Sequence, residues 1–354
     1  MTDPISPEPI IEPDLPIVDS HQHLWFRPAS AIAHVGSEEN FTARLLAPAF
    51  RKHARYLFDE YLADISSGHN VRASVYVEAS SMYRASGPVE LQSLGEVEFA
   101  NGMGAIAAAG VFTDIQICAA IVSSVDLRLG DGARAILERH MQAGGERYRG
   151  IRGQAVIWDA DPIVLGPSFS GVPQLLLDDT FRQGFRHLAP LGLSYDAWQT
   201  EYQLPELVDL ARAFPDTQIV VNHAGGLFGV GPYEGRVEDR FAAWRGNMHA
   251  LAACPNVAVK LGGLGMPMNA LPWTRKMPAA SEELARDWRP YFETCIEAFG
   301  ADRCMFESNF PVDAGAGSYA VIWNAFKRIA SGASAEEKDA LFAGTAARIY
   351  RIKL

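Results

Sequence analysis

The chain has 354 residues, 48% hydrophobic and 21% charged, the balance of a globular protein that can bury a large core. Its formal net charge of −11 argues against a nucleic-acid partner and against an anionic membrane surface, while a local cluster of Arg and Lys could still hold an anionic small molecule. No apolar run is long enough to span a membrane, and Met1 to Pro9 is acidic and proline-rich, unlike a signal peptide; four cysteines without paired spacing (Cys118, Cys254, Cys295, Cys304) read as reduced, buried thiols of a cytoplasmic protein.

Residues 1–16 read as an extended lead-in, and 17–354 as one domain. The first predicted strand, 17–23, ends in His21-Gln22-His23. Strand alternation puts both imidazoles on one face and Gln22 on the other, which makes half of a metal site. Residues 26–70 form a long excursion with helical stretches over 44–50 and 51–65. Further strands are predicted over 71–78, 115–122, 148–154, 193–196, 218–223, 257–261 and 304–308. Helices are predicted between them over 89–109, 131–143, 178–191, 203–213, 236–254 and 281–299, with 320–329 and 335–343 ending the chain. This alternation predicts parallel βα units closed into a single (β/α)8 TIM barrel, with 26–70, 224–250 and 262–282 as long loops at its rim. No glycine-rich dinucleotide fingerprint follows the first strand, which argues against an open doubly wound sheet.

Chemistry in such a barrel sits at the carboxyl ends of the strands. Those ends carry His21 and His23, Glu78, Arg152, Asp196, Asn222-His223, Lys260, and Glu307 with Asn309. An apolar strand ending in an ionisable residue costs desolvation unless that residue has partners. His223 is a natural third histidine for His21 and His23. Glu78 reads as a ligand, a general base, or the ion-pair partner of Arg152 or Lys260. Arg152, between Gly150 and Gly153, suits a planar substrate carboxylate. Lys260 suits an anion or a polarised carbonyl. Asp196 reads as a substrate contact or, more commonly, a cap. Alternation puts Glu307 and Asn309 on one face, with Asp313 orienting the loop beyond. The other histidines (His34, His53, His69, His140, His187, His249) read as structural or solvated, and Arg147-Tyr148-Arg149 as a solvated turn.

The ordered set His21-x-His23, Gly150-Ile151-Arg152-Gly153, Val220-Val221-Asn222-His223-Ala224-Gly225-Gly226, Val259-Lys260-Leu261-Gly262-Gly263 and Ser308-Asn309-Phe310-Pro311-Val312 resembles the amidohydrolase superfamily. More narrowly it is similar to the TIM-barrel branch that includes L-fuconolactonase and 2-pyrone-4,6-dicarboxylate lactonase. The resemblance implies hydrolysis at a carbonyl, most often of a lactone, by an activated water. It also implies metal ligation by His21, His23 and His223. The family pattern Ser-Asp-Trp-Pro is replaced here by Ser308-Asn309-Phe310-Pro311, and the strand-five histidine of the metal-binding relatives has no match near Asp196 or Tyr202. An amide takes no proton. One divalent metal, Zn or Mn, and metal-independent action are therefore both open.

The leading expectation is a hydrolase acting on a lactone that carries a carboxylate. In it Arg152, Lys260 and Asp196 contact the substrate, and His223, Glu78, Asn309 or Glu307 supply the proton chemistry. The alternatives are a decarboxylase of an aromatic or enol acid on the same barrel, and a non-catalytic binder of a small acid. A homo-oligomer is left open, since Trp25, Trp244 and Trp273, read as exposed aromatics, could serve an interface as well as a pocket.

Overall fold

The computed structural model describes residues 8–36, 41–153, 157–160, 164–165, 171–269 and 278–354. Eight parallel strands run in sequence order around one sheet. They are β1 (Pro16–Gln22), β2 (Asn70–Val77), β3 (Gln116–Ser123), β4 (Tyr148–Arg152), β5 (Ser194–Ala197), β6 (Ile219–Val221), β7 (Val257–Leu261) and β8 (Cys304–Phe306). The last strand returns to the first across an isolated parallel bridge between Gln22 and Phe310. Two backbone bonds draw that seam shut: His23 N–H donates to Phe310 O at 2.9 Å, and Asn309 N–H donates to His21 O at 2.9 Å. The result is the expected (β/α)8 barrel. Its closure passes directly through the paired histidines.

The strands are short and apolar on both faces because both faces are covered. Inside, Val18, Val75, Val77, Val122, Val220 and Met305 form one core with Ile349 and Tyr350. Those last residues belong to the helix Thr345–Tyr350, which packs against the barrel interior. Outside, a larger core joins the opposite strand faces to the surrounding helices. The pairing of β1 with β2 is irregular between Asp19 and Gln22. Asp19 accordingly faces the outer layer, bonded to Tyr61 and Tyr319, while His21 faces the barrel mouth.

Several sequence expectations change. The helix expected over 51–65 is interrupted. The helix Phe41–Lys52 ends early, Arg55–Tyr56 pairs antiparallel with Trp25–Phe26, and the helix Phe58–Ile65 follows. The helix expected over 178–191 stops at Phe185, so His187 lies beyond it, with Nε2 2.9 Å from Asp131. The segment 224–250 is no insertion: most of it is the barrel helix Val237–Ala252. Arg147-Tyr148-Arg149 is not a solvated turn, since buried Tyr148 opens β4 and Arg149 Nε donates to Tyr350 O. Trp25 and Trp244 are each only 1% exposed, which removes them as interface aromatics, and Trp273 lies outside the described residues. All four cysteines are free and buried, as expected. Among the described residues no helix is long and apolar enough to cross a membrane.

The lead-in is fastened rather than loose. Lys327, buried on the helix Tyr319–Ile329, donates to the carbonyls of Ile11 and Glu12 at 2.8 Å each.

Candidate active site

β1, β6 and β8 bring three of the expected residues together. His21, His223 and Glu307 present ligand atoms within 4.8 Å of one another, and all three are buried. Glu307 follows the last residue of β8 and reaches between two imidazoles. Its Oε1 accepts from His223 Nδ1 at 2.7 Å and from the His223 backbone N–H at 3.0 Å. Its Oε2 lies 2.7 Å from His21 Nδ1, but off the line of a hydrogen bond, and no other described donor serves it. A buried carboxylate oxygen in that position is short of a partner.

His23 is oriented from its other side. Its Nδ1 lies 2.8 Å from Val77 O, an acceptor only, so Nδ1 carries the proton and Nε2 offers a lone pair. That Nε2 faces His21 Nε2 at 3.2 Å. Burial first, then the charges of Lys260 and its neighbours, hold His21 well below its ordinary pKa; burial and Arg152 do the same to His23. Both rings are thus uncharged. Two nitrogens sharing a tetrahedral zinc at about 2.0–2.1 Å each would stand about 3.3 Å apart. The donor pair therefore fits a divalent cation, while Glu307 Oε2 lies on the opposite, Nδ1 edge of His21 and orients that ring. His21, His223 and Glu307 also lie within mutual reach, with Glu307 on the Nδ1 edge of both rings.

The backbone is bent to make this arrangement. His223, Ala224 and Asn309 all have positive φ, at 53°, 48° and 51°. Such conformations in non-glycine residues persist only where the surroundings over-determine them. The glycines that matter follow β7. A Cβ on Gly263 would collide with His223 at Nδ1, and one on Gly262 would collide with Glu307 at Cγ. The room beside these two side chains is thus supplied from the neighbouring strand. Gly150 clears space for Ser194 rather than for Arg152.

The remaining strand-end residues pair with each other. Arg152 Nε donates to Glu78 Oε1 at 2.6 Å, Nη2 to Glu78 O at 2.6 Å, and Nη1 lies 3.3 Å from His21 Nε2. Its guanidinium stacks over Trp198, 5.1 Å from the ring centre. Of the roles weighed for Glu78, the ion pair is the one the geometry builds, and an acid so occupied is not placed as a base. Lys260 Nζ pairs with Asp196 at 2.7 Å, and Tyr350 OH also donates to Asp196. Both are fully buried and outside the cavity lining, so the expectation that they touch substrate is corrected: they brace the barrel beneath the histidines. The carboxylate of Asp196 is taken up by these partners rather than by a helix end. Asp313 orients its loop as expected, accepting from Asn309 Nδ2 at 2.7 Å and from Gly265 N–H at 3.1 Å.

A cavity of about 250 Å³ opens above this floor. His23, His223, Asn309 and Arg152 face it, with Trp25, Phe50, Trp198, Met266 and Met268 among its walls. Arg27 and Ser80 complete its polar lining among the described residues. Trp25, read as an aromatic that could serve a pocket or an interface, is a wall of the cavity, while Arg27 was missed altogether. The signal was present, because the alternation that aligns His21 with His23 continues through Trp25 to Arg27. Asp19 was missed as well. It accepts from Ser308 N–H, Ser308 Oγ, Tyr61 OH and Tyr319 OH, and so locks β1 to the segment after β8.

Comparison with known proteins agrees with this architecture. A family model described as amidohydrolase matches residues 18–352. The chain is 36% identical over 339 residues to the uncharacterized protein y4mH of Sinorhizobium fredii, covering 96% of this chain and 99% of that protein. It is 28% identical over 336 residues to L-fucono-1,5-lactonase of Burkholderia multivorans, covering 95% and 96%. A crystal structure of an amidohydrolase from Burkholderia multivorans with bound zinc superposes with a TM-score of 0.71 at 28% identity, covering 95% of this chain and 99% of that one.

Proposed function

The chain belongs to the amidohydrolase family, and on that premise we propose that it hydrolyses a lactone carrying a carboxylate, with water adding to the ring carbonyl inside the cavity. The observation that carries this reading is Glu307 held 2.7 Å from Nδ1 of both His21 and His223. An imidazole whose Nδ1–H donates to a carboxylate keeps Nε2 free to accept a proton, and the carboxylate stabilises the imidazolium that forms. His223 lines the cavity and takes the proton of the attacking water. The oxygen bonds to the carbonyl carbon, the ring C–O bond breaks, and His223 returns the proton to the departing oxygen. The product is an open-chain hydroxy acid. Glu307 thus stands in for the strand-eight aspartate, while Asn309, an amide bonded to Asp313, shapes the wall and takes no proton.

His21 and His23 are the residues that would hold a zinc or manganese ion, with Glu307 orienting His21 from its Nδ1 edge. Bound there, such an ion supplies Lewis acidity to the carbonyl and lowers the pKa of water. Arg152 is neutralised by Glu78 and keeps the histidine floor in place beneath Trp198.

The test is His223→Ala assayed on a panel of carboxylated lactones. The expected loss is about 10²–10⁴ in kcat, with the melting temperature close to wild type. A folded variant that turns over as fast as wild type would sink the reading.

A further inference from the structure

Two arginines line the cavity, and they differ in what they have left to offer. Arg152 has Nε and Nη2 on Glu78 and Nη1 beside His21 Nε2, so three of its five N–H groups are engaged. Arg27 donates from Nη2 to Ala79 O at 2.7 Å, and its Nε is buried with no partner among the described residues. No described carboxylate pairs with it. Its planar head is fixed all the same: the guanidinium carbon lies 4.7 Å from the Trp25 ring centre and 4.5 Å from that of Phe50. Trp25 in turn stacks on His23, with ring centres 5.8 Å apart. His23, Trp25 and Arg27 therefore form one continuous stack, from the floor of the site to its edge.

The Arg27 Nε has no surface open to the cavity, so a ligand would meet the remaining edge of a guanidinium that no described carboxylate pairs, and a charged head so placed suits an anion. Its rigid fork matches a carboxylate better than a single hydroxyl. Between this fork and the histidines the described walls are mostly rings and thioethers, Trp25, Phe50, Trp198, Met266 and Met268. Such walls suit a flat unsaturated or aromatic carbon frame, and a neutral sugar lactone offers the fork only uncharged hydroxyls.

We propose that Arg27, clamped between Trp25 and Phe50, docks the carboxylate of a flat, unsaturated or aromatic lactone and so sets the specificity of the site. The proposal rests on the lactonase reading for the identity of the reacting group, but the docking itself does not depend on turnover. Arg27 touches the substrate in this account, while Arg152, expected to hold a carboxylate, has its Nε and Nη2 on Glu78.

Binding of benzoate and of benzamide, measured by calorimetry on wild type and on Arg27→Met, separates the two claims. A charge-assisted bond worth about 1.5–3 kcal/mol corresponds to roughly 10- to 100-fold in affinity. Wild type is expected to prefer benzoate by that factor. Arg27→Met is expected to lose the preference while keeping its benzamide affinity and its melting temperature. Arg27→Lys, which keeps charge but not the fork, is expected to fall between. An equal or undetectable affinity of wild type for both probes, or a preference that survives in Arg27→Met, overturns the proposal. An Arg27-dependent preference in a protein that opens no lactone supports the docking site and removes the lactonase reading alone.

Discussion

A methyl group at position 263 has nowhere to go. Gly263 holds φ at +69°, and a Cβ there would collide with His223 Nδ1, the atom that bonds Glu307. Gly263→Ala is expected to displace the imidazole from the carboxylate, lowering kcat by about 10²-fold or more while costing about 1–3 kcal/mol of stability. Steady-state kinetics beside a thermal melt distinguishes this from simple unfolding, and a Gly263→Ala variant with wild-type kcat would show that the contact is unimportant. At this scale the histidines were legible in the sequence, because an imidazole at the end of an apolar strand is costly without a purpose. The partnerships were legible only as alternatives, with Glu78 read as a partner of Arg152 or of Lys260. Nothing in the order of residues says that Lys260 takes Asp196 and Arg152 takes Glu78, since those choices depend on distances across the barrel.

The segment after β2 shows how an element is held by one buried acid. Glu96, on the helix Leu94–Ala108, accepts at Oε1 from the backbone N–H of Ala79 and of Ser81 and from Tyr76 OH. It thereby fixes the rim next to Arg27. Burial, reinforced by the charge of Glu78, pushes its carboxyl up from 4.5 to about 8. A pKa raised in the folded state means that its stabilising contribution is complete below about 4.5 and is lost as pH rises through about 8. Wild type should therefore lose stability relative to Glu96→Gln across that window in denaturant titrations. Parallel curves would contradict the assignment. Element boundaries were legible where periodicity was long, as in the helix Ser281–Phe299, which the sequence placed to the residue. They failed where tertiary pairing intervened. The two-residue strand at Arg55–Tyr56 exists only because Trp25–Phe26 lies beside it, and the short helix Thr345–Tyr350 has too few residues to announce itself without the barrel interior it packs against.

At the scale of the whole molecule the eightfold alternation of strand and helix was enough to give the barrel, and the barrel gave the location of the chemistry. It could not give the closing seam, where Asn309 and Phe310 bond the backbone of His21 and His23 and so couple the two ends of the chain to the site. A cation held by His21 and His23 would stiffen the end of β1 that this seam pins. Zinc added to chelator-treated protein is accordingly expected to raise the melting temperature, by an amount equivalent to about 2.7 kcal/mol when zinc is present at 100 times its Kd. His23→Ala should abolish the rise. An unchanged melting temperature in wild type would mean that no metal is held there, and would leave the Glu307-paired histidines to act alone.

The claim on which the rest depends is that solvent water opens a ring ester. Turnover of a flat carboxylated lactone in ¹⁸O-labelled water tests it directly. The product is expected to be the hydroxy acid, heavier than the lactone by one water and carrying the solvent oxygen in its new carboxylate. Release of carbon dioxide, or a product without solvent oxygen, would contradict it.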